Sequence, residues 1–332
     1  VSNLHSGRNV SGDDAPSSLP AGEIRLAHRH EIHAALQLIL SSAGRPAAEE
    51  HIVDFLRFSI YRGINLADTW IAADTAGKLV WAVLPVISPG RTMLLFTPTT
   101  VPADYKDTLI CPLVERALEH HRNRNVDLAQ VLLDGEDAGA VRLFEACSFE
   151  TLAELVYLDR EVRHATRPEM PPGFSWISYS PATHDEFARA ITATYEGSLD
   201  CPRLNGRRKV DDVIEGHKAA GEFDPALWFV LRGPTGTAGV LLLNRSTRTD
   251  SLELVYLGLA APFRGRRLGD VLMQHALASA TLIGSRRLSL AVDSQNAPAL
   301  RLYKRHGLTR LCSRVALIRD LRTVEKTDSV ER

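Results

Sequence analysis

One register recurs in this chain, and it restricts the fold more than any other feature. The run Asp137-Ala-Gly-Ala-Val-Arg-Leu-Phe144-Glu-Ala-Cys-Ser148-Phe149 overlays Asn296-Ala-Pro-Ala-Leu-Arg-Leu-Tyr303-Lys-Arg-His-Gly307-Leu308 at an offset of 159 residues. The same offset pairs the turn glycines Gly77 and Gly236, and Trp70-Ile71 with Phe229-Val230. Matching registers at distant places argue for two copies of one fold. A length of 332 residues suits about two domains.

Hydrophobic patterning fills in the elements. In the first copy, strands are expected at Glu23–Ala27, Met93–Phe96, Leu128–Leu133 and Phe149–Leu158. Trp70–Ala73 and Leu79–Ile87 form a hairpin about the Asp74–Gly77 turn. Helices are expected at His30–Leu40, Ala47–Tyr61, Lys106–Arg122 and Gly139–Ala146, with Pro112 confined to the first turns of its helix or kinking it. The stretch 163–173 holds Pro168, Pro171 and Pro172 and reads as a linker. The second copy repeats the order. Its strands are Phe174–Tyr179, Leu227–Leu231, Gly239–Leu243, Leu252–Leu259, Leu288–Val292 and Leu308–Ile318. Its helices are Thr183–Tyr195, Val210–Ala220, Leu268–Ile283 and Pro298–Arg305. The expected organisation is a disordered tail over 1–21, a first domain over 22–162, a linker over 163–173, a second domain over 174–322 and a tail over 323–332.

Bulk numbers exclude several classes. A net charge of −1 provides no global field for nucleic acid or membrane. The paired Arg286-Arg287 lacks the interleaved aromatics of a nucleic-acid surface. No apolar run reaches the roughly 20 residues of a membrane span. Cys111, Cys147, Cys201 and Cys312 are scattered, none at metal-ligand spacing and none pointing to secretion, so a reducing cytoplasm is the default. His28, His30 and His33 loosely resemble metal spacing, but no Cys or carboxylate set accompanies them; a solvated helix start is expected there and no metal.

The chemistry is concentrated in the last quarter. A strand, Leu252 to Leu259, leads into a basic loop, Arg264-Gly265-Arg266-Arg267-Leu268-Gly269, and a helix follows at once. A helix start holds phosphate because its first N–H groups lack partners and its dipole favours negative charge. Gly265 and Gly269 let the backbone approach phosphate oxygens, and Arg264, Arg266 and Arg267 add positive charge. The bland alternative is a solvated basic turn. Downstream, Asn296, Ala299, Tyr303 and Gly307 are spaced along a second helix, which alone would be any amphipathic helix.

Together, in this order, these motifs resemble the acyl-coenzyme A site of the GNAT superfamily of N-acetyltransferases. The family loop usually reads Arg/Gln-x-x-Gly-x-Gly/Ala. Arg264 and Gly269 fit, Arg267 stands where the middle glycine is expected, and Pro262 lies one residue nearer Arg264 than usual. A side chain at the Arg267 position is acceptable only at negative φ. The resemblance covers residues 174–320 well and the first half faintly. It implies an α/β (α+β) fold class: two tandem GNAT-type acyl-CoA N-acyltransferase folds, each a mixed, mostly antiparallel sheet flanked by helices. It also implies acetyl-CoA as co-substrate, with Leu257, Gly258, Leu259, Arg264, Gly265, Arg266, Arg267, Leu268, Gly269, Asn296 and Ala299 around it. The acceptor is an unidentified small-molecule or peptide amine, and the assembly a monomer or homodimer.

Several residues carry a functional and a plainer reading. Tyr303 would protonate the departing thiolate, or it is a half-buried helical aromatic. Asn296 would bond the pantetheine arm, or it is an N-cap. Glu253 would take the amine proton, directly or through water, or it is a strand-end carboxylate; Glu253-x-x-x-x-Gly258-Leu259 resembles the same strand of the mycothiol synthases, a tandem branch of the family. Asp200 would bind a cationic amine. The segment Asp200-Cys201-Pro202-Arg203 would line the acceptor side, so Cys201 is expected beside the substrate; as a nucleophile it is tempting, but no His lies near it and GNAT chemistry needs no covalent step. His275 reads as a packed or surface histidine rather than a base. The offset sets Tyr105-Lys106-Asp107-Thr108-Leu109-Ile110 against the basic loop, Phe144 against Tyr303 and Ser148 against Gly307, so the first copy is expected to keep the scaffold without the coenzyme site. The rival from another class is a non-catalytic acyl-CoA-binding or interaction protein. Within enzymes, the alternative is a mycothiol-synthase-like acetylation of a sugar-linked cysteine.

Overall fold

The computed structural model describes residues 22–41, 45–98, 109–135, 138–247 and 249–322. Both expected tails, the start of the Lys106 helix and Tyr105–Thr108 lie outside the described residues. The first half contains β1 (Glu23–Leu26), α1 (Ile32–Ile39), α2 (Glu49–Arg62), β2 (Trp70–Ala73), β3 (Leu79–Ser88) and β4 (Thr92–Phe96). It continues with α3 (Cys111–His121), β5 (Leu128–Asp134), α4 (Ala138–Ala146) and β6 (Glu150–Glu161). The second half contains β7 (Ser175–Ser178), α5 (His184–Tyr195), α6 (Val210–Ala219), β8 (Trp228–Gly233), β9 (Gly236–Arg245) and β10 (Ser251–Leu259). It ends with α7 (Leu268–Leu282), β11 (Arg287–Asp293), α8 (Ala297–Arg305) and β12 (Thr309–Asp320). Pro112 and Pro298 sit in the first turns of α3 and α8, where a missing N–H costs nothing.

The repeat is visible in the element bounds. β5 and β11, α4 and α8, and β6 and β12 are each 159 residues apart at both ends. Ser148 follows α4 at φ +64°, as Gly307 follows α8 at φ +75°. A side chain thus occupies a left-handed position that its counterpart gives to glycine, which tolerates it freely.

All twelve strands of the described residues join one sheet, in the order β1-β2-β3-β4-β5-β12-β6-β11-β10-β9-β8-β7. The pairs β4–β5 and β10–β11 are parallel and the rest antiparallel. The two last strands are exchanged: β12 pairs with β5 of the first half, and β6 pairs with β11 of the second. They meet at the centre as an antiparallel pair, Thr309 opposite Asp159 and Ile318 opposite Glu150. Side chains follow the exchange. Leu317 of β12 packs in the first half's core with Trp81 and Phe144, while Val156 and Leu158 of β6 pack in the second half's core with α7. The linker is held to α7, where the Thr281 hydroxyl donates to the Arg163 carbonyl and accepts from the Ala165 N–H. The two edge strands, β1 and β7, are four residues each, short enough to limit edge-to-edge pairing.

Helices cover both faces. On β9, Leu241 and Leu243 point toward α7, whereas Val240 and Leu242 point toward α5 and α6, the period-two alternation of a strand buried on two sides. α1 and α2 pack on Ile71, Ala82 and Leu84 in the first half. The helices α2 and α6 then meet: Arg62 donates to the carbonyls of Ala219 and Gly221. The β3–β4 turn also docks there, its Gly90 carbonyl accepting from Arg208 at 3.2 Å. A Cβ on Gly90 would fall 2.1 Å from the Asp212 carbonyl, so this contact needs glycine. The sequence reading left the four cysteines unpaired, but Cys111 and Cys147 form a disulfide between the start of α3 and the end of α4. Their 36-residue separation carries no recognisable spacing, and only the packing of the two helices brings them together.

Candidate active site

The site begins with a divergence of two strands. β10 and β11 run parallel and paired only from Ser251 to Leu254 against Arg287 to Leu290. Between Leu254 and Tyr256 the ladder of β10 with β9 slips by one residue, a bulge that bends β10 away. β11 continues along β6 to Asp293. A wedge therefore opens between Leu257–Leu259 and the end of β11. The Ala260 N–H donates to Ala238, so by alternation the N–H groups of Leu257 and Leu259 point away from β9 and into the wedge. The resulting cleft has a volume of about 980 Å³ and is lined by Leu257, Gly258 and Leu259 on one wall.

The second wall is the start of α7. Gly265 takes φ +75° and Arg267, the N-cap, takes φ +58° and ψ +12°. The expected condition of negative φ at Arg267 is not met; the loop keeps the left-handed conformation that glycine supplies in the family pattern. An L-residue there costs roughly 1–2 kcal/mol. The N–H groups of Gly265 through Gly269 have no protein acceptor among the described residues, and Gly265, Arg267, Leu268 and Gly269 line the cleft. The unpaired amides, the dipole of a 15-residue helix and the Arg267 guanidinium make this end a fit for a polyphosphate.

The other two loop arginines are occupied. Arg264 donates to the carbonyls of Leu259 (3.0 Å), Gly197 (3.1 Å) and Thr194 (3.0 Å), clamping the end of α5 to β10. Its backbone and charge border the cleft, but three of its donors are spent on protein. Arg266 places its guanidinium over the Phe263 ring at 5.6 Å and does not line the cleft.

α8 closes the far side. Asn296 is its N-cap, accepting from the Ala299 N–H at 3.2 Å, and both residues line the cleft. One turn on, Tyr303 is 5% exposed and faces the same space; its hydroxyl makes no hydrogen bond among the described residues. Burial, aided by the charge of Asp200, raises its pKa well above the usual phenol value.

The open end between α5 and β11 is acidic. Asp200 lines the cleft, and its carboxylate accepts from the Asp293 N–H at 3.3 Å. Asp293, 3% exposed, accepts from the N–H groups of Cys201 (3.1 Å) and Gln295 (2.9 Å). Burial pushes the Cys201 thiol up to about 12, with both aspartates adding to the effect, so it stays protonated; it does not line the cleft. Glu253 does not line the cleft either. It lies in the paired part of β10, opposite Ser289, where burial raises its pKa. Tyr256 and Thr194, which the sequence reading did not single out, share a 2.6 Å hydroxyl contact in the cleft wall. His217 stacks on Tyr256 at 5.4 Å, and burial holds it neutral at about 4. Of the packed and surface readings of His275, the packed one holds: it is wedged between Trp176 and Phe229. The missed residues carry no local motif: Asp293 becomes a site residue only where β11 outruns its partner.

The first half reaches this end as well. Arg203 and Arg207, on the α5–α6 connection, bond the Thr151 carbonyl and the Glu150 carboxylate at the start of β6.

Comparison with known proteins agrees with this geometry. The sequence model of the Acetyltransferase (GNAT) family matches residues 191–308. The chain is 29% identical over 177 residues to a mycothiol acetyltransferase of Clavibacter michiganensis, covering 52% of this chain and 55% of that one. It spans about half the length of the curated relatives it matches. Among solved structures, the fold is similar to a GCN5-related N-acetyltransferase from Sphaerobacter thermophilus, with a TM-score of 0.61, 18% identity and coverage of 92% of this chain and 98% of that one. It is also similar to a tandem GNAT protein from the clavulanic acid biosynthesis pathway, with a TM-score of 0.50, 15% identity and coverage of 90% and 99%. No described helix is long and apolar enough to cross a membrane. The second half of this chain therefore contains a region matching the GNAT acetyltransferase family, within a repeated architecture whose overall fold is similar to solved GNAT structures, a tandem one among them.

Proposed function

We propose that the second half is an acetyl-CoA-dependent N-acetyltransferase in which a small-molecule amine attacks the acyl carbon directly. The observation that carries this reading is the wedge beside β10, with free strand amides at one end, free helix amides at the other and an unpartnered Tyr303 hydroxyl between. Gly265, Arg267, Leu268 and Gly269 would hold the pyrophosphate. The exposed edge of β10 offers backbone groups to the amide-rich pantetheine arm. Amides of Leu257 and Leu259 would polarise the acyl carbonyl, and Tyr303 would return a proton to sulfur. Arg264 acts as the clamp that fixes the wedge. The first half, lacking its own basic loop, would shape the acceptor side through β6, α2 and the β3–β4 turn.

Two measurements test this. Calorimetry with acetyl-CoA should show one site per chain, and thiol release should accompany incubation with at least one member of an amine panel. No binding at millimolar cofactor would remove the reading. Binding without thiol release would favour a non-catalytic acyl-CoA-binding protein, a reading that the strained Arg267 supports. The similarity to a mycothiol acetyltransferase favours including a sugar-linked cysteine amine in the panel.

A further inference from the structure

We propose that Asp200 is the proton acceptor for the attacking amine, and that Asp293 is the positioning residue that holds it there. This rests on reading the cleft as an N-acetyltransferase site, and it names the group that completes that site. Glu253 is the strand carboxylate that the sequence offers. It sits in the closed part of the wedge, four residues before Leu257. At about 3.3 Å per residue, that is about 13 Å along β10 from the amides that would hold the acyl carbonyl. Asp200 stands at the open end and lines the same cleft as Tyr303.

Asp200 and Asp293 differ in how they are satisfied. Both oxygens of Asp293 accept backbone N–H groups, which fixes its orientation. Asp200 receives a single 3.3 Å contact, from the Asp293 N–H, and keeps acceptor capacity for a ligand. The groups facing it are Asp293 on β11, Cys201 beside it, Tyr195 on α5, Tyr256 on β10 and Tyr303 on α8. No Lys or Arg pairs with either carboxylate among the described residues. A half-buried carboxylate without a counter-ion suits a ligand that brings an amine or ammonium. Tyr303, buried and without a hydrogen-bond partner, independently marks the cleft as built for a ligand. Burial raises the Asp200 pKa from its ordinary value; the Asp293 N–H opposes this and the like charge of Asp293 adds to it. That moves it toward the range in which a general base is useful.

The protons balance without any further reactant. As the nitrogen–carbon bond forms, an N–H proton passes to Asp200. As the carbon–sulfur bond breaks, the Tyr303 proton passes to sulfur. Protonated Asp200 then returns its proton to the Tyr303 oxygen. The products are an amide and a free thiol, and the site is reset.

The test uses the full chain, acetyl-CoA and the best amine from the panel. Asp200→Asn should lower kcat by about 100-fold or more with acetyl-CoA affinity by calorimetry unchanged, which also shows that the variant folds. Glu253→Gln should stay within about five-fold of wild type. Asp293→Asn should keep most of kcat but shift the acidic limb of the kcat/KM profile to lower pH, because a like charge is removed from beside Asp200. An active Asp200→Asn, a larger loss in Glu253→Gln, or an unmoved limb in Asp293→Asn overturns the assignment while leaving the acetyltransferase reading intact. A wild-type protein that binds cofactor yet acetylates no amine removes that reading, and this assignment with it.

Discussion

At the contact between α3 and α4 the first half carries the Cys111–Cys147 disulfide. At the equivalent contact, 159 residues on, the second half carries Asp270 hydrogen-bonded to His306 at 2.9 Å, with Arg305 also on the carboxylate at 3.0 Å. The neighbouring positions differ in the same sense. Ile110, fully buried, takes the place of Gly269 on the cleft wall, and Phe144, also fully buried, takes the place of Tyr303. Ile110 and Phe144 belong to one core cluster with Leu109 and Trp81. At these two positions the first half carries apolar side chains, each worth roughly 1.5–3 kcal/mol when buried. The second half keeps the space open and tolerates unpaired amides, a left-handed arginine and an unbonded phenol. One scaffold can therefore be tuned toward packing or toward a ligand, and the residues that decide are few.

The largest expected effect comes from exchanging the aromatic pair. Tyr303→Phe should cut kcat about 100-fold while leaving acetyl-CoA affinity unchanged; equal losses in both would count against an acid role. The reverse exchange, Phe144→Tyr, should confer no activity and destabilise the protein by about 1–3 kcal/mol, since a hydroxyl is buried without a partner. Denaturant titration measures that cost.

Next comes the cleft wall. A Cβ on Gly269 would stand 3.1 Å from Leu302 Cδ2, and both residues line the cleft, so Gly269→Ile adds bulk at this wall. Cofactor binding should weaken by about 100-fold, equivalent to about 2.7 kcal/mol, with the melting temperature held or raised. Undiminished binding would mean that the cofactor does not use this wall.

The two clasps should respond to different conditions. Cys147→Ser, or reduction, should cost about 4 kcal/mol for a closed loop of this length, seen as a lower denaturant midpoint at any pH. Asp270→Asn should cost about 1 kcal/mol and only above acid pH. Burial alone would raise the Asp270 pKa, but hydrogen bonds from His306 and Arg305 outweigh it, and the net direction is down from 3.8. The clasp therefore contributes fully above that ordinary value and loses its contribution as pH falls through the depressed folded value. Curves for wild type and Asp270→Asn that stay parallel down to strong acid would contradict it.

The smallest effect concerns the helix start. Arg267→Gly should relieve the left-handed strain and raise stability by about 0.5–1 kcal/mol, part of the gain being lost to the freer unfolded chain. Cofactor affinity then separates the roles: weakening would show that the guanidinium binds phosphate, and no change that the backbone suffices.

Much of this was legible in advance. The 159-residue register predicted two copies, and the bounds of β5, β6 and α4 repeat at that spacing in β11, β12 and α8. Hydrophobic period located nearly every strand, because alternation is a local property of the backbone. The basic loop and the Asn296–Gly307 spacing located the cleft, because phosphate binding at a helix start needs contiguous residues. What escaped notice was non-local. Arg264 has the look of a phosphate ligand until the Thr194 and Gly197 carbonyls are brought beside it. Asp293 has the look of a strand end until β10 bends away.

The amino-acid order alone determined the duplication, the elements and the position of the open helix start, since each depends on residues a few places apart. The tertiary structure decided which last strand joins which half, and which carboxylate reaches the cleft. β6 and β12 are both apolar strands of equal length and equivalent register, so either partner satisfies their hydrogen bonds; only the closed path of the chain and the packing of both cores select the exchange.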